Sequence, residues 1–172
     1  MKVLILGVDG MIGHKIAQSL ISDFHVVGST RKNVSANQLF LQGLKIFHKD
    51  FLRDDASVFF DKIQPDIIIN CIGITTRRGI SENISNTEFI NQQFPYEIEK
   101  WIANNNKKFI HFSTDCVFSG KKGNYQDNDI PDAEDIYGKS KGRGEINNNA
   151  TLTIRSSMIG REIYNHTELF EW

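Results

Sequence analysis

The chain has 172 residues, with 20 lysines and arginines against 21 aspartates and glutamates, for a formal net charge of -1. That length suits one domain able to bury roughly 70% of the surface of its unfolded chain, and the near-neutral charge gives no electrostatic footprint for nucleic acid or an anionic membrane. No apolar run reaches the length a bilayer needs, Met1-Lys2 leads straight into a strand rather than a signal peptide, and Cys71 and Cys116 match neither a metal pattern nor a redox pair. The expectation is a cytoplasmic protein without a metal site.

Val3-Leu4-Ile5-Leu6 is a short unbroken apolar run, as in a strand buried on both faces of a parallel sheet. Gly7, Gly10 and Gly13 follow, and Met11, Ile12, Ile16, Ala17 and Leu20 then fall on one face of a helix. Glycines at a strand-to-helix turn let a pyrophosphate approach the backbone, and the helix start offers it N–H groups and a positive dipole end. The spacing also fits an ordinary tight turn of an α/β protein. Asp9 is an awkward neighbour for a pyrophosphate, and its carboxylate is expected either to face solvent or to cap the helix.

His25 to Ser29 reads as the second strand, at whose end a dinucleotide fold meets the adenosine ribose. An acid there binds the free hydroxyl of NAD, and a base accommodates the 2′-phosphate of NADP. The chain has Thr30-Arg31-Lys32, so Arg31 and NADPH are favoured, with NADH also accommodated. Val34 to Leu41 is expected as a short helix and Leu44 to Phe47 as a third strand. Asp50 and Phe51 follow where the chain would pass the adenine ring, or else serve as a loop acid and a core aromatic. Asp54 to Ile63 is a capped helix, closed by Pro65.

Asp66 to Gly73 is a buried strand whose carboxyl end carries Asn70, Cys71 and Gly73, the end at which open α/β sheets hold ligands. Arg77-Arg78 lie in a polar stretch that reads as a solvated loop or a substrate-phosphate contact. Asn86 to Ala103 is expected as one long helix, containing Asn91 and bent by Pro95. The next strand, Lys108 to Ser113, buries His111 as a core histidine and ends at Thr114, whose hydroxyl can donate to a substrate carbonyl. An aperiodic loop, Ser119 to Asp135, delivers the chain to Tyr137-Gly-Lys-Ser-Lys141. On a helix over 136–147, Tyr137 and Lys141 share a face. A phenol has an ordinary pKa near ~10, and an ammonium beside it stabilises the phenolate, so the pair can exchange a proton with a carbonyl as hydride moves. Tyr-x-x-x-Lys alone is also an ordinary exposed helix face.

The glycine turn, Ser113-Thr-Asp-Cys-Val-Phe-Ser-Gly120, Tyr137-Gly-Lys-Ser-Lys-Gly-Arg-Gly-Glu145 and Arg155-Ser-Ser157 together resemble the extended short-chain dehydrogenase/reductase family, in its dTDP-4-dehydrorhamnose reductase branch. The resemblance covers essentially the whole chain. It implies a doubly wound, mainly parallel Rossmann sheet of about six strands, and NADPH-dependent reduction of the 4-keto group of a nucleotide-linked deoxysugar. Tyr137 would be the general acid, Lys141 the group that tunes it and holds the nicotinamide ribose, and Thr114 the carbonyl-orienting hydroxyl. Gly7, Gly10, Met11, Ile12 and Gly13 would cradle the pyrophosphate, with Arg31 at the 2′-phosphate, and Asn91 would order the site.

Cys116 stands where rhamnose-pathway members have an aromatic residue, so reductases of UDP-linked N-acetylated deoxyhexuloses are as close there. Family members continue well beyond the last strand, Thr151 to Arg155, into a sugar-binding lobe, whereas Thr167 to Trp172 reads as the first turn of a helix cut short. A fragment comprising the cofactor half is the expectation. A homodimer is compatible with the sequence. Alternatives from other classes are a non-catalytic NADP-binding regulatory subunit and an epimerase or dehydratase of the same fold.

Overall fold

The computed structural model describes residues 1–36, 38–39, 41–75, 83–160 and 163. Six strands form one sheet, β1 (Lys2–Leu6), β2 (His25–Thr30), β3 (Lys45–His48), β4 (Ile67–Asn70), β5 (Lys108–Phe112) and β6 (Thr151–Ile154), in the order β3-β2-β1-β4-β5-β6. Every pairing is parallel. This is the doubly wound Rossmann arrangement. The order reverses between β1 and β4, so a crevice opens outside the carboxyl ends of these two strands.

The residues of β1 alternate between two cores. Leu4 and Leu6 join Phe59, Phe60, Phe94 and Trp101 on one face, and Val3 and Ile5 join Ala17, Val26 and Leu39 on the other. The first of these cores is aromatic, with Phe51 stacked on Phe94 at 4.9 Å and Phe60 edge-on to Trp101 at 5.5 Å. Helix α1 (Met11–Leu20) covers the second face, and α2 (Ala56–Ile63) and α4 (Phe94–Asn105) cover the first. Gln64 and Asn106, both left-handed, end α2 and α4 and return the chain to β4 and β5.

Three expected elements differ. The described residues of 34–41 form turns, closed by Leu41 N–H on the Ala36 carbonyl at 2.9 Å and by a reciprocal Ser35–Gln38 side-chain pair. That pair is a capping box, which starts a turn, but the chain does not extend it as a helix: Leu39 N–H reaches the Ser35 carbonyl at 3.3 Å and Leu41 N–H then takes the Ala36 carbonyl five residues back. The long helix is three pieces: α3 (Ile84–Glu88), a π-helical turn (Phe89–Gln93) and α4, which starts at the proline. Pro95 follows the π-helical turn, where the ladder is already widened, with Phe94 N–H bonded to the Phe89 carbonyl five residues back, so the residue that cannot donate falls at the irregularity rather than within a regular α-helix. The last helix, α5 (Ile136–Arg143), is shorter than expected and ends at Gly144.

Candidate active site

The glycine turn places its backbone by close contact. Gly7 has φ of 79°, and the amides of Gly7 and Val8 both donate to the Ser29 carbonyl, at 2.9 and 3.0 Å. A Cβ on Gly13 would overlap the Gly7 carbonyl, so α1 can lie this near β1 only with glycine there. Gly10 is the N-cap of α1 and no side chain caps the helix, which leaves first-turn N–H groups for a ligand. The turn opens onto a cleft lined by Gly7, Gly10 and Met11, by Arg31, Asp50 and Phe51 along one side, and by Cys71, Gly73 and Ile74 beyond β4. A pyrophosphate cradle of bare backbone with bases at one end fits a dinucleotide.

Behind Gly73 the chain is held by buried polar side chains. Asn91, in the π-helical turn and fully buried, accepts from the Ile74 amide at 2.9 Å and donates to the Ile74 carbonyl at 2.9 Å and to Ser140 Oγ at 3.1 Å. One side chain thus fixes both the segment after β4 and helix α5. Lys141, 3% exposed, donates from Nζ to the Phe112 carbonyl at 2.7 Å. A Cβ on Gly73 would lie 3.9 Å from the Lys141 Nζ, so the ammonium flanks the floor of the cleft. Burial pulls Lys141 down to about 8, against smaller opposing contributions from Glu145 and Cys71.

Helix α5 reaches this position through its glycines. A Cβ on Gly138 would overlap the Cys116 carbonyl, and one on Gly144 would overlap the Asn91 carbonyl. The Tyr137 turn therefore lies beside the short turn Asp115–Val117, which Thr114 caps by accepting from the Cys116 amide at 3.2 Å. Thr114 also donates to Asp115 Oδ1 at 3.2 Å. Hydrogen bonds from the Ser157 and Thr114 side chains, Ser157's the larger effect, hold the Asp115 carboxyl below its ordinary range.

The remaining sequence candidates fall out as follows. Ile12 and Gly13 are in the first turn of α1, and Gly13 is buried. Phe51 is a core aromatic with an edge on the cleft, and Asp50 accepts from the Leu52 amide at 3.2 Å. Asn70 does not face the cleft: it is fully buried, accepting from Ile72 N–H at 3.0 Å and meeting His111 Nδ1 at 3.2 Å, because a polar side chain buried there must satisfy itself internally. Cys71 lines the cleft, and desolvation pushes its thiol up to about 12, leaving it a neutral wall. His111 is a core residue held neutral chiefly by burial. Arg77 and Arg78 lie outside the described residues.

Sequence reasoning missed two features. Asp9 neither caps α1 nor faces solvent; its side chain is 15% exposed and lies 3.8 Å from Lys32 Nζ. Glu145 receives Ser113 Oγ at 2.6 Å and three bonds from the Arg155 guanidinium at 2.7 to 3.1 Å. Arg155 also donates to the carbonyls of Asp127 and Asp129 at 3.0 and 3.3 Å and lies over the Phe118 ring, clamping the aperiodic loop against β5 and β6. The available signal was Glu145 and Arg155 flanking a strand from opposite ends, a pairing visible only once the strand is placed.

Comparison with known proteins fits this geometry. A dTDP-4-dehydrorhamnose reductase from Aggregatibacter actinomycetemcomitans is 30% identical over 145 residues, 84% of this chain and 45% of that one. The spore coat polysaccharide biosynthesis protein SpsK of Bacillus subtilis (strain 168) is 29% identical over 171 residues, 96% of this chain and 54% of that protein. The chain thus spans about half the length of the curated relatives it matches. Among solved structures, a hypothetical dTDP-4-dehydrorhamnose reductase from Sulfolobus tokodaii superposes with a TM-score of 0.79 at 29% identity, over 91% of this chain and 56% of that one. A UDP-glucuronic acid 4-epimerase from Bacillus cereus in complex with NAD gives 0.67 at 25% identity, over 84% and 50%. Residues 1–161 match the model of one family, and on that match the chain belongs to the RmlD substrate binding domain family.

Proposed function

We propose that this chain is the cofactor-binding half of an NADPH-dependent reductase that acts on the 4-keto group of a nucleotide-linked deoxysugar, of the dTDP-4-dehydrorhamnose or UDP-N-acetyl-deoxyhexulose kind, in cytoplasmic synthesis of cell-surface polysaccharide. The observation that carries the reading is the Lys141 ammonium, buried beside Gly73 one helical turn from Tyr137, at the same carboxyl edge of the sheet as the uncapped glycine turn and across the switch point from it. The reductase named among the relatives and the polysaccharide role of SpsK support the substrate class.

In this reading the α1 amides and Gly7, Gly10 and Gly13 take the pyrophosphate, and Arg31 takes the 2′-phosphate. Bound there, the dihydronicotinamide supplies hydride to the keto carbon. Tyr137 gives its proton to the forming alkoxide, and Thr114 turns its single hydroxyl proton from Asp115 to the same oxygen and orients it. An ammonium has three donors and Lys141 commits one to Phe112, so two remain for the nicotinamide ribose and for the charge that develops on Tyr137. Asn91 fixes the segment on which Lys141 acts and touches no reacting atom.

Tyr137→Phe in the longer protein tests this. Loss of a general acid lowers kcat by roughly 100- to 10,000-fold with keto-sugar and NADPH while cofactor affinity changes little. Undiminished turnover would remove Tyr137 from the chemistry and the ketoreductase reading with it.

A further inference from the structure

Two acids lie at the adenosine end of the cleft, and neither is at the end of β2, where dinucleotide folds ordinarily place the residue that reads the ribose: Asp50 follows β3 and is engaged by the Leu52 amide and by Arg53 at 3.9 Å, and Asp9 comes from the glycine turn. We propose that Asp9 tempers the cofactor preference: its carboxylate, paired with Lys32, accepts from ribose hydroxyls and weakens, without reversing, the hold of Arg31 on a 2′-phosphate. The inference rests on the dinucleotide reading of the cleft.

Three observations carry it. The turn is fixed against β2, because the Gly7 and Val8 amides share the Ser29 carbonyl, so Asp9 keeps its position relative to Thr30 and Lys32. Asp9 lines the same cleft as Arg31, Lys32 and Lys49, with its Oδ2 3.8 Å from Lys32 Nζ. Lys49 is already bound to Asp54 at 3.2 Å. A 2′-phosphate that recruits Lys32 must therefore take it from Asp9 and then lie beside a carboxylate. A free 2′-hydroxyl meets no such conflict, since it donates to Asp9 and leaves the pair intact. The pair is not there to hold the fold: the Lys32 side chain is 48% exposed, and ion pairs at such sites contribute little stability.

The test titrates the 172-residue chain, wild type and Asp9→Asn, with NADPH and with NADH, following nicotinamide fluorescence. Removing one negative charge beside a dianion raises the preference for NADPH roughly tenfold, and added salt narrows the difference between the two proteins. Asp9→Ser gives the same shift and decides the matter where Asp9→Asn does not fold. A preference unchanged to within about twofold in both variants, with binding intact, overturns the role of Asp9 and leaves the cleft reading standing. Absence of binding of either dinucleotide to any of these proteins overturns the cleft reading for this chain, and the role of Asp9 falls with it.

Discussion

Around β1, α1 and β2 the structure is held by backbone contact and apolar packing, whereas around β5, α5 and β6 it is held by buried polar side chains. On the first side Gly13 abuts Gly7, Gly7 and Val8 hang on Ser29, and the core is Val3, Ile5, Ala17 and Val26. On the second, Asn91, Ser140, Lys141, Ser113, Glu145 and Arg155 bond to one another or to buried backbone. The two sides have different work. A cradle for phosphates needs exposed N–H groups and no side chains in the way. A site that moves protons needs charged groups withdrawn from water and fixed in place, and burial is tolerable only when their partners are present. The first side should thus be intolerant of added volume, and the second of lost polarity.

The largest test of that contrast is Glu145→Ala, which strips the buried side of its anion and leaves Arg155 and Ser113 without their partner. Breaking such a pair costs about 3 to 5 kcal/mol, read as a lower denaturation midpoint in urea. A loss no greater than a surface ion pair gives would mean that the polar network does not hold this side.

Lys141→Met comes next and runs the other way. Moving a lysine from its ordinary 10.5 to about 8 costs on the order of 3 kcal/mol at pH 7, offset by about 1 kcal/mol for the bond to Phe112, so the variant is more stable by about 2 kcal/mol while nicotinamide binding weakens. The ammonium is the form burial penalises. Above pH 8 the folded chain has given up this proton while the unfolded chain keeps it to 10.5, so wild-type stability rises with pH from there. Cys71 opposes the rise above pH 9, because its thiol ionises near 9.0 when unfolded and near 12 when folded. A gain confined mainly to pH 8–9, present in wild type and absent from Lys141→Met, is the expected signature in denaturation scans.

On the apolar side, Gly13→Ala sets a methyl against the Gly7 carbonyl. Overpacking of this kind costs about 1 to 3 kcal/mol and shifts the turn, so dinucleotide affinity falls along with stability. A binding titration that finds the variant indistinguishable from wild type would show that the turn has slack and is not a fixed cradle.

The smallest effect comes from His111. Its folded pKa is well below 6.5, so its contribution to stability is complete above that pH and is lost as pH falls and the unfolded imidazole takes a proton. Between pH 6.5 and 5 the loss is about 1 to 2 kcal/mol, at a slope no steeper than ~1.4 kcal/mol per unit. His111→Phe flattens this part of the profile, measured by thermal melting in matched buffers.

Local pattern along the chain was enough to place the strands and the turn. Val3 to Leu6, Ile67 to Ile69 and Phe109 to Phe112 are short apolar runs with helical patterns between them, and alternation of that kind leaves a parallel sheet as the economical solution. Gly7, Gly10 and Gly13 were legible because glycine spacing is a local property, as was the single turn between Tyr137 and Lys141. Which polar side chains meet, by contrast, was settled by the packing of the fold. Asn70 turned inward to His111, Asn91 joined Ile74 to Ser140, and Glu145 met Arg155 across the sheet edge. Asp9 crossed to Lys32 for the same reason. A buried or half-buried polar group takes whatever partner the packed fold brings within hydrogen-bonding or ion-pairing reach, and that partner is set by long-range geometry that spacing along the chain does not encode.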